Sequence, residues 1–184
     1  YATYALRFRA PKFEYLPEIG DNRKLIARDN GVLENDKLKV RINPNGTFSL
    51  TYKETGRTME NMHYFTDSGE TGSAHVSTQP LRNPIMTSHG SVATITLMET
   101  NLHRGTFKVE LSIRIPVAAT EDGKDRFTEM KELPVTYFIT LEKGSDIVKI
   151  KTVLTNECRD HKLCVNFPSG INTDWAVSES AFDV

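Results

Sequence analysis

"LKVRINPNGTFSLTY", residues 38–52, decides how this chain is built. Leu38, Val40 and Ile42 alternate with Lys39 and Arg41, and Phe48, Leu50 and Tyr52 alternate with Ser49 and Thr51. Alternation with period two marks strands that bury one face. The two apolar sets share a face only if Ile42 opposes Phe48, Val40 opposes Leu50 and Leu38 opposes Tyr52. A two-residue Asn-Gly loop would set Ile42 against Ser49 and break that match. A three-residue loop, Pro44-Asn45-Gly46, keeps it, with proline opening a type I turn and Gly46 taking the left-handed position of the bulge.

The same pattern recurs along the chain. "SVATITLME" (91–99) and "TFKVELSIRIPV" (106–117) flank the turn-like "TNLHRG", and Phe107, Val109, Leu111, Ile113 and Ile115 form one apolar face. Residues 133–156 read as two strands joined at Lys143–Asp146, and "LCVNF" (163–167) reads as another. Helical periodicity of useful length is absent; "RFTEMKEL" (126–133) is too short to carry a helix alone. Many strands linked by turns predict an all-β antiparallel sandwich. Residues 1–29, with Pro11 and Pro17, read as an extended lead-in and linker strand, and 30–184 as the sandwich domain.

Composition narrows the function classes. The chain has 184 residues, 38% of them hydrophobic and 26% charged, with a net charge of −1. That balance gives no electrostatic footprint for nucleic acid or an anionic membrane. No apolar run approaches the ~18 residues that a membrane span needs. "YATYALRFRA" has neither the apolar core nor the cleavage site of a signal peptide. The sequence starts without Met and stops in the strand-like "SESAFDV", so a piece truncated at one or both ends is expected. Cys158 and Cys164 are too few for a disulfide framework and are expected as free thiols of a cytoplasmic protein.

The chemistry-bearing residues concentrate in "YFTDSGETGSAHVSTQP" (64–80), a polar stretch read as a loop between strands. Asp67 and Glu70 lie three residues apart in it, but sequence spacing does not set the separations of about 5–5.5 Å or 6.5–9.5 Å that a glycosidase carboxylate pair needs. His75 is the candidate ligand-facing histidine. His63, His89 and His103 read as surface or loop residues, and His161 follows Asp160. No histidine pair has HxH, HxxxH or HxD spacing, so no metal site is expected. Trp175, the single tryptophan, is either a sugar-stacking platform or a buried or edge aromatic.

Several stretches together resemble the C-terminal β-domain of bacterial family 38 glycoside hydrolases, the zinc-dependent α-mannosidases. "VLENDKLKVRINPNGTFSLTYKETGR" (32–57) resembles the family's opening strand pair. Residues 139–184, with Asn156, Asp160, His161, Leu163, Phe167 and Gly170, resemble its later "N…DHrL…F.tG" run, which continues to Phe182 and Asp183. "YATYAL" resembles the end of the small preceding β-segment. In the 64–80 stretch Phe65, Asp67, Gly69, Gly72 and Pro80 match the family's loop, while Glu70, Ser73 and His75 stand where Asp, Asp and Tyr are usual.

The resemblance implies a β-supersandwich like the galactose mutarotase domains. It implies a partner in the N-terminal catalytic domain of the same polypeptide and a mannose-containing carbohydrate as ligand. Asp67, Glu70, Ser73, His75, Asp160 and His161 would then be substrate-facing, with no catalytic residue in this piece. The parent's chemistry is retaining hydrolysis with a carboxylate nucleophile and zinc, both housed outside this segment. Two rival expectations stand beside it: a free-standing carbohydrate-binding module using Trp175, His75 and Asp67, and a purely architectural domain.

Overall fold

The structure is a computed structural model and describes residues 25–28, 30–73 and 75–175; the "YATYAL" motif, Phe182 and Asp183 lie outside them. Its strands, in chain order, begin with β1 (Ala27–Arg28), β2 (Val32–Glu34), β3 (Leu38–Ile42), β4 (Phe48–Tyr52) and β5 (Arg57–Met62), which pair successively into one antiparallel sheet. Then follow β6 (Tyr64–Gly69), β7 (Met86–Thr87), β8 (Thr94–Thr100), β9 (Arg104–Pro116), β10 (Met130–Glu142), β11 (Lys149–Leu154) and β12 (His161–Asn166). A four-stranded sheet has the order β11-β10-β9-β8 and a three-stranded sheet the order β12-β6-β7. Every strand pair is antiparallel, so the all-β sandwich expected from the alternation is the fold. The sandwich starts before residue 30: Ile26 and Ala27 are buried in its core and β1 is an edge of its first sheet.

The hairpin read from residues 38–52 forms with the register its apolar residues require, Ile42 opposite Phe48, Val40 opposite Leu50 and Leu38 opposite Tyr52. The Gly46 amide donates to Asn43 O at 3.0 Å, the Asn43 amide donates to Thr47 O at 2.8 Å, and Gly46 has φ +80°. The tip is also a tertiary contact, because the Tyr137 hydroxyl of β10 donates to Gly46 O at 2.6 Å inside the core. Val40 and Phe48 from this sheet and Val109, Ile115 and Tyr137 from the four-stranded one are at most 1% exposed. Each such side chain stabilises the fold by about 1.5–3 kcal/mol through burial alone.

Gly46→Val is expected to destabilise the chain by about 2–4 kcal/mol, because two costs combine. The left-handed backbone disfavours a branched residue, and a Cβ there would lie 2.6 Å from Leu111 Cδ2. Gly56→Val serves as the comparison, since Gly56 also has positive φ but a Cβ would meet nothing within 4 Å. Equal shifts of the urea midpoint in the two variants would refute the packing contribution.

The chain leaves the first sheet for the three-stranded one at Asn61–His63, where Asn61 and His63 have φ 55° and 65°. His63 was expected at the surface or in a loop; it is instead 2% exposed and sits among Phe65, Tyr137 and Phe167. A second correction concerns 64–80. Its first six residues are not loop but β6, the central strand of the three-stranded sheet, with Phe65, Asp67 and Gly69 turned inward. An inward aspartate imitates the polar position of an alternating pattern, which is why this strand did not stand out in the sequence.

Candidate functional site

The polar stretch is an arm, residues 70–85, that leaves the end of β6 and returns into β7. Its base is fixed by backbone and amide contacts. Asn83 Oδ1 accepts from the Gly69 amide at 2.6 Å, and Asn83 Nδ2 donates to Gly69 O at 3.2 Å. The Glu70 amide donates to Asp160 O at 2.9 Å, and the Arg82 amide donates to Lys124 O at 3.0 Å. Pro80 is buried against Gly69, where a Cβ would approach its ring to 2.8 Å.

The outer part of the arm is organised by one carboxylate. Glu70 Oε1 accepts from the Gly72 amide at 3.0 Å and the Thr78 amide at 2.7 Å, and Oε2 accepts from the Ser77 hydroxyl at 2.6 Å. Hydrogen bonding from Ser77, then from Thr78 and Gly72, holds the Glu70 carboxyl below the usual glutamate range. A Cβ on Gly72 would meet Val76 O at 2.0 Å, so the fold-back of the arm requires glycine there. Ser73 Oγ accepts from the His75 and Val76 amides, both at 3.3 Å. His75 is exposed, and its ring makes no hydrogen bond among the described residues.

Beneath the arm lies a buried ionic network. Asp67 is 0% exposed. Its Oδ1 pairs with Arg126 Nη2 and its Oδ2 with His161 Nδ1, and both partner side chains are at most 4% exposed. Arg126 Nη1 donates to Pro84 O at 3.3 Å, and Arg126 Nε has no partner among the described residues. His161 Nε2 faces Asn156 Oδ1 at 3.0 Å, which also accepts the Cys158 amide at 3.0 Å. Asp160 adopts a left-handed φ of 53° and turns the chain so that its neighbour His161 enters β12.

The six expected substrate-facing residues therefore gather at one end of the β6–β12 pair but divide by role. Asp67 and His161 point inward and are consumed by the ionic network, so neither presents a free group to a ligand in this arrangement. Glu70 spends its carboxylate on the arm, and Asp160 gives its carbonyl to Glu70 and its Oδ2 to the Ala119 amide at 3.4 Å. Ser73 and His75 remain on the outer surface. Arg126 was missed by the sequence reading; it is brought in by the β9–β10 connection, 59 residues from Asp67. Its signal in the sequence would have been a charged residue in the weakly patterned run between two long strands.

No group of three or more His, Cys, Asp or Glu that could hold a metal ion occurs among the described residues. The Asp67–His161 contact is no metal pair, since the second carboxylate oxygen already binds a guanidinium. Trp175 is 84% exposed. Val76, Leu81 and Ile85 on the arm are 62%, 84% and 66% exposed, an unusual apolar content for a solvated loop. No helix among the described residues is long and apolar enough to cross a membrane.

The described residues thus combine an antiparallel sandwich, a structured polar arm and a buried Asp67–Arg126–His161 cluster at the arm's base. Solved structures resemble the chain. The chain matches an α-mannosidase from Enterococcus faecalis V583 with a TM-score of 0.78 and 26% identity, covering 82% of this chain and 19% of that one. It matches a glycosyl hydrolase family 38 protein from Enterococcus faecalis with a TM-score of 0.79 and 26% identity, covering 82% of this chain and 20% of that one. By sequence it is 26% identical to a putative mannosylglycerate hydrolase of Halalkalibacterium halodurans, covering 91% of this chain and 20% of that protein. No family model matches the chain. The chain is thus similar to a β-sandwich portion of family 38 glycoside hydrolases and spans about one fifth of the length of the proteins it matches.

Proposed function

We propose that this chain is the C-terminal β-domain of a bacterial, cytoplasmic α-mannosidase-type retaining hydrolase. It buttresses the catalytic domain and lends the 70–85 arm to the wall of the carbohydrate pocket. The observation that carries the reading is the arm itself: a rigidly based, polar-tipped projection whose outer limb exposes Val76, Leu81 and Ile85. Solvated loops gain nothing from such side chains, whereas a docking limb buries them against a second domain. The free thiols of Cys158 and Cys164 fit a reducing compartment. In this reading the carboxylate nucleophile and the zinc belong to the other domain, and the present residues supply binding surface only. A mannose-containing substrate is favoured because the matched proteins are described as an α-mannosidase and a putative mannosylglycerate hydrolase.

The test is Leu81→Asp combined with Ile85→Asp in the full-length polypeptide. Both positions are exposed here, so the sandwich keeps its own stability, within about 0.5 kcal/mol per site. Loss of docking is expected to separate the melting of the two domains and to lower kcat/KM for an aryl α-mannoside by about tenfold or more. Unchanged kinetics and a single unchanged transition would return the arm to solvent and leave a purely architectural domain.

A further inference from the structure

We propose that Arg126 is a positioning residue that sets the arm's orientation and thereby places Ser73 and His75 against the sugar. This inference rests on the reading of the arm as a pocket wall. Arg126 stands on the β9–β10 connection, where Ala119 and Arg126 form an isolated antiparallel bridge. Its guanidinium joins three separate segments. Nη2 takes Asp67 of β6, Nη1 takes the Pro84 carbonyl on the returning limb, and the backbone belongs to a connection of the four-stranded sheet. The arm therefore leaves and returns around one buried cation.

A guanidinium suits this task because its planar fork holds two acceptors in fixed directions. An ammonium at the same place is a point charge on a flexible stem and loses that directional pairing. His161 completes the cradle by holding the second Asp67 oxygen from β12, so the carboxylate cannot rotate to follow a displaced guanidinium. A shift of Arg126 is transmitted to Pro84, and with it to the limb that carries Leu81 and Ile85. The outer tip, from Gly72 to Thr78, is held on Glu70 as a unit and moves with its base. Arg126 has no route to a substrate of its own, being buried with its side chain 2% exposed.

The experiment is a double-variant cycle in the full-length polypeptide, using Arg126→Lys and His75→Ala with 4-nitrophenyl α-mannoside as the substrate. Arg126→Lys keeps the charge opposite Asp67 and so retains the fold. It is expected to lower kcat/KM by about tenfold, the scale of a small misplacement of a binding surface. His75→Ala should add little to Arg126→Lys, because a misplaced arm has already withdrawn the imidazole. Hydrogen exchange should rise in residues 70–85 of Arg126→Lys while β9 and β10 stay protected. Additive losses, with His75→Ala harmful alone, would overturn the positioning role and leave the pocket-wall reading intact. No effect of His75→Ala or of Ser73→Ala would overturn both. Should Arg126→Lys fold poorly, Arg126→Met, whose stem fills much of the same volume while Asp67 keeps its imidazole, makes the same test and is read by the same cycle.

Discussion

Asp67→Ala is expected to cost the chain about 3–5 kcal/mol, the penalty of leaving the buried Arg126 guanidinium without its carboxylate. Two groups lose their counterpart at once, since Asp67 serves both Arg126 and His161 within a buried site. Arg126→Met should cost less, because Asp67 then keeps its imidazole and the methionine stem fills much of the vacated volume. The ordering Asp67→Ala worse than Arg126→Met is the specific content of the prediction. Combining Asp67→Leu with Arg126→Met should recover a good part of the loss, since apolar replacement of a buried pair is often neutral or better. Urea unfolding of these proteins, with Asp67→Leu alone to close the cycle, measures all of this. A double variant as unstable as the sum of its parts would show that the network is not coupled as the geometry requires.

How legible this was in the sequence follows from the range of each interaction. The hairpin at 38–52 was fully readable because its determinants are local: period-two alternation, one proline and one glycine. The same holds for the β9 face and for the turn at Lys143–Asp146 between β10 and β11, where paired strands are neighbours in sequence. The ionic network joins residues 59 and 94 positions apart, and no local pattern announces such a pairing. Asp67 and His161 were noticed as chemistry-bearing residues and assigned to a ligand; the pairing partner, Arg126, was not noticed at all. With Arg126 in place, the two become internal. His63 was misplaced for a related reason. A histidine beside the bulged end of β5 looks like a turn residue until the aromatic side chains of three other segments close around it.

Residues that carry the family resemblance divide in the same way. Asn35 resembles the family's opening motif, and it is a pin: its Nδ2 donates to Glu142 O at 2.7 Å and Ser145 O at 2.8 Å, and its Oδ1 accepts the Lys37 and Leu38 amides. Asn45 likewise caps Thr47 within the hairpin. Both side chains are spent on holding the sandwich itself together. Ser73 and His75, where the chain departs from the family pattern, are the ones left facing outward. The third departure, Glu70, turns its carboxylate onto the arm's own Gly72, Ser77 and Thr78.

The stability of the chain is expected to fall as pH drops from about 6.5 to about 4, through His63. Burial pushes the His63 ring down to about 4, far below the ordinary histidine value of 6.5. The neutral ring is therefore the folded form. In the unfolded chain the imidazole takes up its proton as pH falls through about 6.5, while the folded chain declines it until about 4. Its stabilising contribution is complete above the unfolded value, is lost across that window, and changes no further below it. The full difference is on the order of 3 kcal/mol, with about 2 kcal/mol gone by pH 5. The cause is visible around the ring. Nε2 meets the Thr152 hydroxyl at 3.2 Å, Nδ1 is buried with no partner among the described residues, and the Tyr137 ring lies 4.3 Å away, so an imidazolium would find no counterion among those residues. His63→Asn is the comparison: asparagine tolerates the left-handed φ and does not titrate. The variant loses packing and is less stable at pH 7, yet its stability should change much less than the wild type's between pH 6.5 and 5, above the range where most carboxylates protonate. Parallel stability curves for the two proteins over that interval would refute the assignment, as would an imidazole proton resonance of His63 that titrates near 6.5 in the folded chain.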